Sequence, residues 1–292
     1  MTLLILLVII CSVLLSAGCA TLEPKRVLSV GDEVEGTLKE PGAVVRWSFR
    51  TTSDTEVVTF HVAGDGKVPL QGVQTRVLLP GDALAAQLAT RDQEEFGAAI
   101  VGRATTWTVE LKLEESVTRP VQYRFRVGHW RASGSALQSP CETTLQSLGI
   151  KAFIMLLPNV PNPYTVTNPT LGTFTFAYDP PSAAQLAPHL PGAIPTLRMG
   201  GGSAIKVDLT GLYCDVFKFQ MNLWDTERGP RPAITPLDAT GSTLCGGSGQ
   251  PACLSNPPQA QWTSYTLNTN KATDTVLVEC EEVNISTFVL MQ

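Results

Sequence analysis

The chain has 292 residues and a formal net charge of −5, with 21 Lys or Arg against 26 Asp or Glu. No Lys/Arg cluster stands out, which argues against a nucleic-acid-binding role, since that needs a basic face. Its 24 glycines and 21 prolines are scattered between short apolar stretches, the pattern of a β-rich globular protein with room for one large domain or two smaller ones.

The first element is an apolar run, Leu3 to Leu15, broken only by Ser12 and followed by Ser16-Ala17-Gly18-Cys19. It falls short of the roughly 20 residues a spanning helix needs and suits the h-region and small-residue cleavage site of a signal peptide. With Leu14-Leu15 upstream, Ser16-Ala17-Gly18-Cys19 resembles the lipobox of bacterial lipoproteins. The resemblance implies cleavage after residue 18 and lipidation of Cys19 with diacylglycerol and a further acyl chain of the palmitate kind. Several chains anchor far better than one, at about 0.8 kcal/mol per buried CH₂. The n-region departs from the pattern in having no Lys or Arg. Ala20 stands where an Asp would favour the inner membrane, so the resemblance points to the outer membrane. Residues 19–26 are then the lipidated cysteine and a tether, short enough to keep the folded part near the bilayer.

Residues 27–130 read as one β-sandwich domain. Val45, Trp47 and Phe49 alternate with polar neighbours, as do Trp107, Val109, Leu111 and Leu113, and Tyr123, Phe125 and Val127. Period-two alternation gives a strand one packed face and one wet face, as in antiparallel sheets. Val57 to Val62 is apolar on both faces and suits a central strand. Gly31-Asp32, Pro41-Gly42, Gly64-Asp65-Gly66 and Pro80-Gly81-Asp82 mark turns. The stretch from Asp82 to Phe96 breaks the alternation, and Asp82 is placed to cap a short helix carrying Leu84, Ala85 and Leu88.

The run Val30-Gly31-Asp32-Glu33-Val34-Glu35-Gly36-Thr37-Leu38, followed by Val45 to Phe49 and Val57 to Phe60, resembles the bacterial pre-peptidase C-terminal domain. That resemblance implies a small jelly-roll-like sandwich of the kind found beside secreted peptidases and on cell-surface proteins. The acidic strand usual in that family is absent, and Thr75-Arg76-Val77-Leu78-Leu79 stands in its place.

Residues 131–140 are small, polar and aperiodic, the composition of a linker. Residues 141–292 then form a second β-rich domain, which resembles no family. Its candidate strands are Ala152–Leu157, Gly172–Tyr178, Ala204–Leu209, Val216–Trp224, Trp262–Leu267, Thr275–Cys280 and Ile285–Leu290. Within Val216–Trp224, Phe217, Phe219, Met221 and Leu223 alternate with Lys218, Gln220 and Asn222. The Pro-rich stretches 158–169 and 179–195 read as loop, with one helical turn at Ala183 to Leu186. Residues 225–258 read as a long loop of the kind that is often functional.

After the signal and Cys19, the cysteines are Cys141, Cys214, Cys245, Cys253 and Cys280. In an exported chain disulfides are the default. Cys245 and Cys253 flank a flexible loop and pair first. Cys214–Cys280 or Cys141–Cys280 is the second choice, and one thiol is left over. His61, His129 and His189 are isolated and no metal-ligand spacing or nucleophile elbow is present, so no catalytic residue, metal or cofactor is expected. His61 reads as a packing residue of its strand. Asp208, Asp215, Asp225 and Glu227 read as a solvated edge, with a cation site as the alternative, and Asn284-Ile285-Ser286 as a bare sequon. The candidate ligand-binding group is Trp224 with Arg228 and Arg231 beyond it, together with Trp262 and Tyr265. Rigid aromatic rings supply contact area at low entropy cost.

The expectation is an all-β protein of two β-sandwich-like domains after a cleaved signal. It would be lipid-anchored in the bacterial envelope as a non-catalytic binding or structural module, with a polysaccharide or an envelope protein as its partner and no nucleic acid. A secreted hydrolase or peptidase accessory protein, and an assembly partner of an envelope machine, are the alternatives.

Overall fold

A computed structural model describes residues 27–52, 57–64, 70–89, 95–101, 104–129, 150–156, 163–168, 172–179, 184–188, 195–199, 202–211, 218–225, 233–244, 254–255, 261–269, 273–280 and 283–291. The signal stretch, Cys19, the tether and the 131–140 linker lie outside these residues. The described chain is all-β. Its strands are β1 (Val27–Leu28), β2 (Glu33–Leu38), β3 (Val44–Thr51), β4 (Val57–Ala63), β5 (Val73–Leu79), β6 (Ala83–Ala89), β7 (Glu95–Val101), β8 (Thr105–Leu113) and β9 (Val121–His129) in the first half. The second half holds β10 (Ile150–Leu156), β11 (Tyr164–Asn168), β12 (Gly172–Asp179), β13 (Ala184–Pro188), β14 (Pro195–Met199), β15 (Ser203–Asp208), β16 (Lys218–Asp225), β17 (Ala233–Leu237), β18 (Leu254–Ser255), β19 (Trp262–Asn268), β20 (Thr275–Cys280) and β21 (Val283–Met291).

Three sheets result. A five-stranded sheet runs β1-β3-β8-β5-β6, and a six-stranded sheet runs β11-β12-β15-β20-β17-β18. Between them lies a central sheet whose path is β2-β9-β4-β7-β10-β21. At β21 it branches: β14 and then β13 continue from one side, and β16 and β19 from the other. As the sequence suggests, β4 is central, flanked by β7 and β9.

The two outer sheets cover opposite faces of the central one. The five-stranded sheet closes a core of Phe49, Phe60, Trp107 and Phe125 that reaches Ala152, Ile154 and Val289 of the second half. The six-stranded sheet closes a core of Phe176, Phe219, Phe288 and Ile205 that reaches Ala99 of the first half. Phe288 stacks on Phe176 with centroids 5.3 Å apart and meets Phe219 at 5.1 Å. The halves meet where β10 pairs parallel with β7, Phe153 beside Ala99 and Ile154 beside Ile100. On β2, Gly36 faces Tyr123. A Cβ there would collide with the Tyr123 ring, which covers the bare backbone and is itself buried.

Several sequence expectations are overturned. Ala83 to Ala89 is the edge strand β6, not a helix capped by Asp82. Asp82 instead takes a turn conformation with φ 57°. Ala184 to Pro188 is strand β13, not a helical turn, and the supposed loops at 158–169 and 225–258 contain β11, β17 and β18. Short strands that pair with distant partners leave little local signal, and tertiary pairing outweighs propensity.

The reason β6 is a strand lies in its surroundings. It pairs with β5, with a bulge at Ala85 between Val77 and Leu78, and its other edge lies against the central sheet. There side chains take up its free backbone groups. Gln220 accepts from Gln87 N–H at 3.0 Å and donates to Gln87 C=O at 2.9 Å. Asn222 donates to Ala85 C=O at 2.8 Å and Thr287 Oγ1 also donates there, while Ser286 donates to Leu84 C=O. Gln220 and Asn222 are therefore 2% and 0% exposed, although strand alternation placed them on a wet face.

Candidate functional site

Among the described residues, the offset between the outer sheets leaves two parts of the central sheet without a facing strand, on opposite faces. The first lies past the edge of β6. Cross-strand register aligns Trp262 of β19, Trp224 of β16, Asn284 of β21 and Arg198 of β14 in one row. The neighbouring Leu223, Ile285 and Leu197 point the other way, into the second core, so the row shares the face that β6 partly covers. The two indoles meet edge to face with centroids 6.0 Å apart, and both are half-buried. Asn284 is 4% exposed and its Oδ1 has no donor among the described residues. Arg198 is exposed. An aromatic pair beside an exposed guanidinium offers ring faces for apolar contact and a polar group for orientation, while the Asn284 amide oxygen lies buried beneath the surface.

The structure thus brings together Trp224 and Trp262 of the sequence-derived group. Tyr265 is placed apart, since three residues along a strand reverses the face, and it packs against the second core. Arg228 and Arg231 lie outside the described residues, as do Cys141, Cys214, Cys245 and Cys253. Cys280 ends β20, its backbone opposite Ser203. Asn284 and Arg198 were missed because only the register of β14, β21 and β16 makes them neighbours of the tryptophans.

The second uncovered part is the outer face of β2, β9 and β4. Phe125 and Val127 point into the first core, so Arg124 and Arg126 between them point out, and both are exposed. A cleft of about 150 Å³ opens here, lined by Glu33, His61, Ala63, Arg124 and Arg126. The register explains its shape: Glu33, Arg126, His61 and Gly97 form one cross-strand row, and Ala63 lies opposite Arg124. The small side chain of Ala63 leaves a hollow beside the long ones. His61 forms part of the lining at 9% exposure, and Glu33 reaches Arg124 in an exposed ion pair of 3.6 Å. The sequence reading of His61 as a packing residue did not anticipate the cleft. The Arg-Phe-Arg alternation was its visible signal.

Of the acidic group, Asp208 closes a turn by accepting from Thr210 N–H and Oγ–H at 2.9 and 2.7 Å, while Asp215 and Glu227 lie outside the described residues. Among the described residues no group of three or more His, Cys, Asp or Glu is arranged to hold a metal ion. The sequon is buried in β21, with Ser286 1% exposed.

No protein-family model and no curated protein matches the sequence. Solved structures are distantly similar. A pre-peptidase C-terminal domain of a collagenase from Bacillus anthracis matches at 12% identity over 36% of this chain and 97% of its own, with a TM-score of 0.30. A point variant of a family 29 carbohydrate-binding module matches at 11% identity over 46% of this chain and 83% of its own, with a TM-score of 0.26. Another point variant of that module, complexed with cellulohexaose, matches at 10% identity over 48% and 91%, with a TM-score of 0.28.

Proposed function

We propose that the protein is a lipid-anchored bacterial envelope protein, held through Cys19 at the outer membrane, that binds polysaccharide without catalysis. The observation that carries the binding reading is the row Trp262–Trp224–Asn284–Arg198. Two indoles in contact and an exposed guanidinium answer the two faces of a sugar. The C–H face of a pyranose packs on an indole, and its hydroxyls accept from a guanidinium. The lipobox-like Ser16-Ala17-Gly18-Cys19 supports the anchor.

The test takes protein from native membranes, records its intact mass, and passes it over insoluble glycans. A mass beginning at an acylated Cys19 is expected, with retention by at least one glycan. Trp224→Ala and Trp262→Ala should each weaken retention about tenfold or more, the scale of losing an aromatic hot spot. Retention unchanged in both variants overturns the site, and a mass beginning elsewhere overturns the anchor.

A further inference from the structure

We infer that the cleft on the outer face of β2, β9 and β4 is a second binding site, and that it takes a carboxylate-bearing sugar. It lies on the opposite face of the central sheet from the Trp224 row, so the two sites can fail separately.

The argument starts from charge and space. Arg124 and Arg126 stand two residues apart on β9, so their Cα atoms are separated by about 7 Å on one face. Two arginines on one exposed face set a positive field at the mouth of the cleft, which favours an anion there. Glu33 reaches Arg124 only in a long, exposed pair, of the kind worth little in water and readily exchanged for another carboxylate. A plain solvated face would explain cross-strand Glu and Arg. It does not explain why the cross-strand neighbour of Arg124 is Ala63, which leaves a hollow where a longer side chain would fill it.

The lining decides the ligand. Guanidiniums present forked donors that match a carboxylate. Glu33, acceptor only when ionised, suits a donating hydroxyl, and the imidazole of His61 can serve a second hydroxyl. Donors for an anion and acceptors for hydroxyls, side by side, describe an acidic monosaccharide better than an inorganic anion. The volume agrees: about 150 Å³ is below the roughly 300–1,000 Å³ of sites that hold a drug-sized ligand. One residue of an acidic polysaccharide is therefore the unit that fits.

The experiment titrates the full chain with D-glucuronate, D-glucose and inorganic phosphate while recording NMR shifts and binding heats. Glucuronate should bind saturably and move the signals of His61, Arg124 and Arg126. Glucose, which lacks the carboxylate, and phosphate, which lacks the hydroxyl-bearing ring, should each bind about tenfold more weakly or worse. Arg124→Gln and Arg126→Gln should each weaken glucuronate about tenfold, and Ala63→Leu should block it by filling the hollow. If Ala63→Leu fails to fold, the two exposed-face arginine variants still decide. Three results overturn the proposal: no saturable glucuronate binding, unchanged affinity in both arginine variants, or phosphate binding as tightly as glucuronate.

Discussion

Two four-residue segments share one pattern, Asp208-Leu209-Thr210-Gly211 and Asp238-Ala239-Thr240-Gly241, and both close turns at the same end of the six-stranded sheet. In each, the aspartate accepts from the threonine N–H and hydroxyl two residues on, an Asx turn that fixes the chain as it leaves a strand. The glycines serve different ends. Gly241 holds φ 78°, a conformation that strains other residues, whereas a Cβ on Gly211 would collide with the Thr173 carbonyl. Asp238 also accepts from Ser242 N–H at 2.9 Å. The Thr240 hydroxyl first, then these backbone donors, hold its carboxyl below the ordinary aspartate value. A lowered folded pKa means the unfolded chain binds the proton more readily. The turn's contribution is thus complete above the ordinary aspartate range and is lost as pH falls through the lowered value. In an NMR titration, Asp238 should titrate below a free aspartate, and Thr240→Val should move it upward. No movement would show that the hydroxyl is not the main cause.

At the scale of elements, β6 is the instructive case. Its sequence, Ala83-Leu84-Ala85-Ala86-Gln87-Leu88-Ala89, is made of strong helix formers, and helix is what local propensity predicts. It is a strand because β5 pairs one edge and the side chains of Gln220, Asn222, Ser286 and Thr287 satisfy the other, which deals with an exposed edge by covering it. The nearest of those four side chains in sequence bonds across 133 residues, so no window on the sequence contains the reason. By contrast β3, β8, β9 and β16 were legible, because one apolar face imposes a period of two on each. The Trp224–Trp262 pair was half legible: the aromatics stand out, but their Asn284 and Arg198 neighbours depend on register. The same logic yields a prediction. Gln220 makes both backbone-like bonds to Gln87, so Gln220→Met leaves a part-buried N–H and C=O unmatched and should cost about 1–2 kcal/mol. Gln220→Glu should cost more, since it sets a carboxylate against the Gln87 carbonyl. Urea midpoints give the stabilities, and exchange of the Gln87 amide should quicken well beyond neighbouring β5 amides in both variants. Unchanged Gln87 protection would mean that β6 is held by packing alone.

Across the whole molecule, the sequence suggests two sandwiches joined by the 131–140 linker, while the central sheet passes from one half into the other. The β7–β10 ladder sets Ala98, Ala99, Ile100 and Val101 beside Ala152, Phe153, Ile154 and Met155. Each core borrows from the other half: Ala152, Ile154 and Val289 pack with the first, Ala99 with the second. The polar seam along β6 adds bonds between residues 84–87 and residues 220–287. Separating the halves would expose a β7 edge strand, uncover Ile154 and strand the amides of Gln220 and Asn222, so opening one half should unlatch the other. Denaturation should therefore be a single transition. Two single-tryptophan reporters test this: one retains Trp107, buried in the first core with its indole N–H donating to Thr51 at 3.1 Å, and one retains Trp262 of the second half. Their urea midpoints should coincide with each other and with the loss of far-ultraviolet circular dichroism. Midpoints that separate would mean that the halves unfold independently and that the shared sheet adds little coupling. In that case the two open faces sit on separately stable modules, and ligand binding at one would not stabilise the other. Coincident midpoints carry the opposite consequence: a ligand in the Arg124–Arg126 cleft, whose lining holds no tryptophan, should raise the midpoint reported by Trp262 as much as the one reported by Trp107.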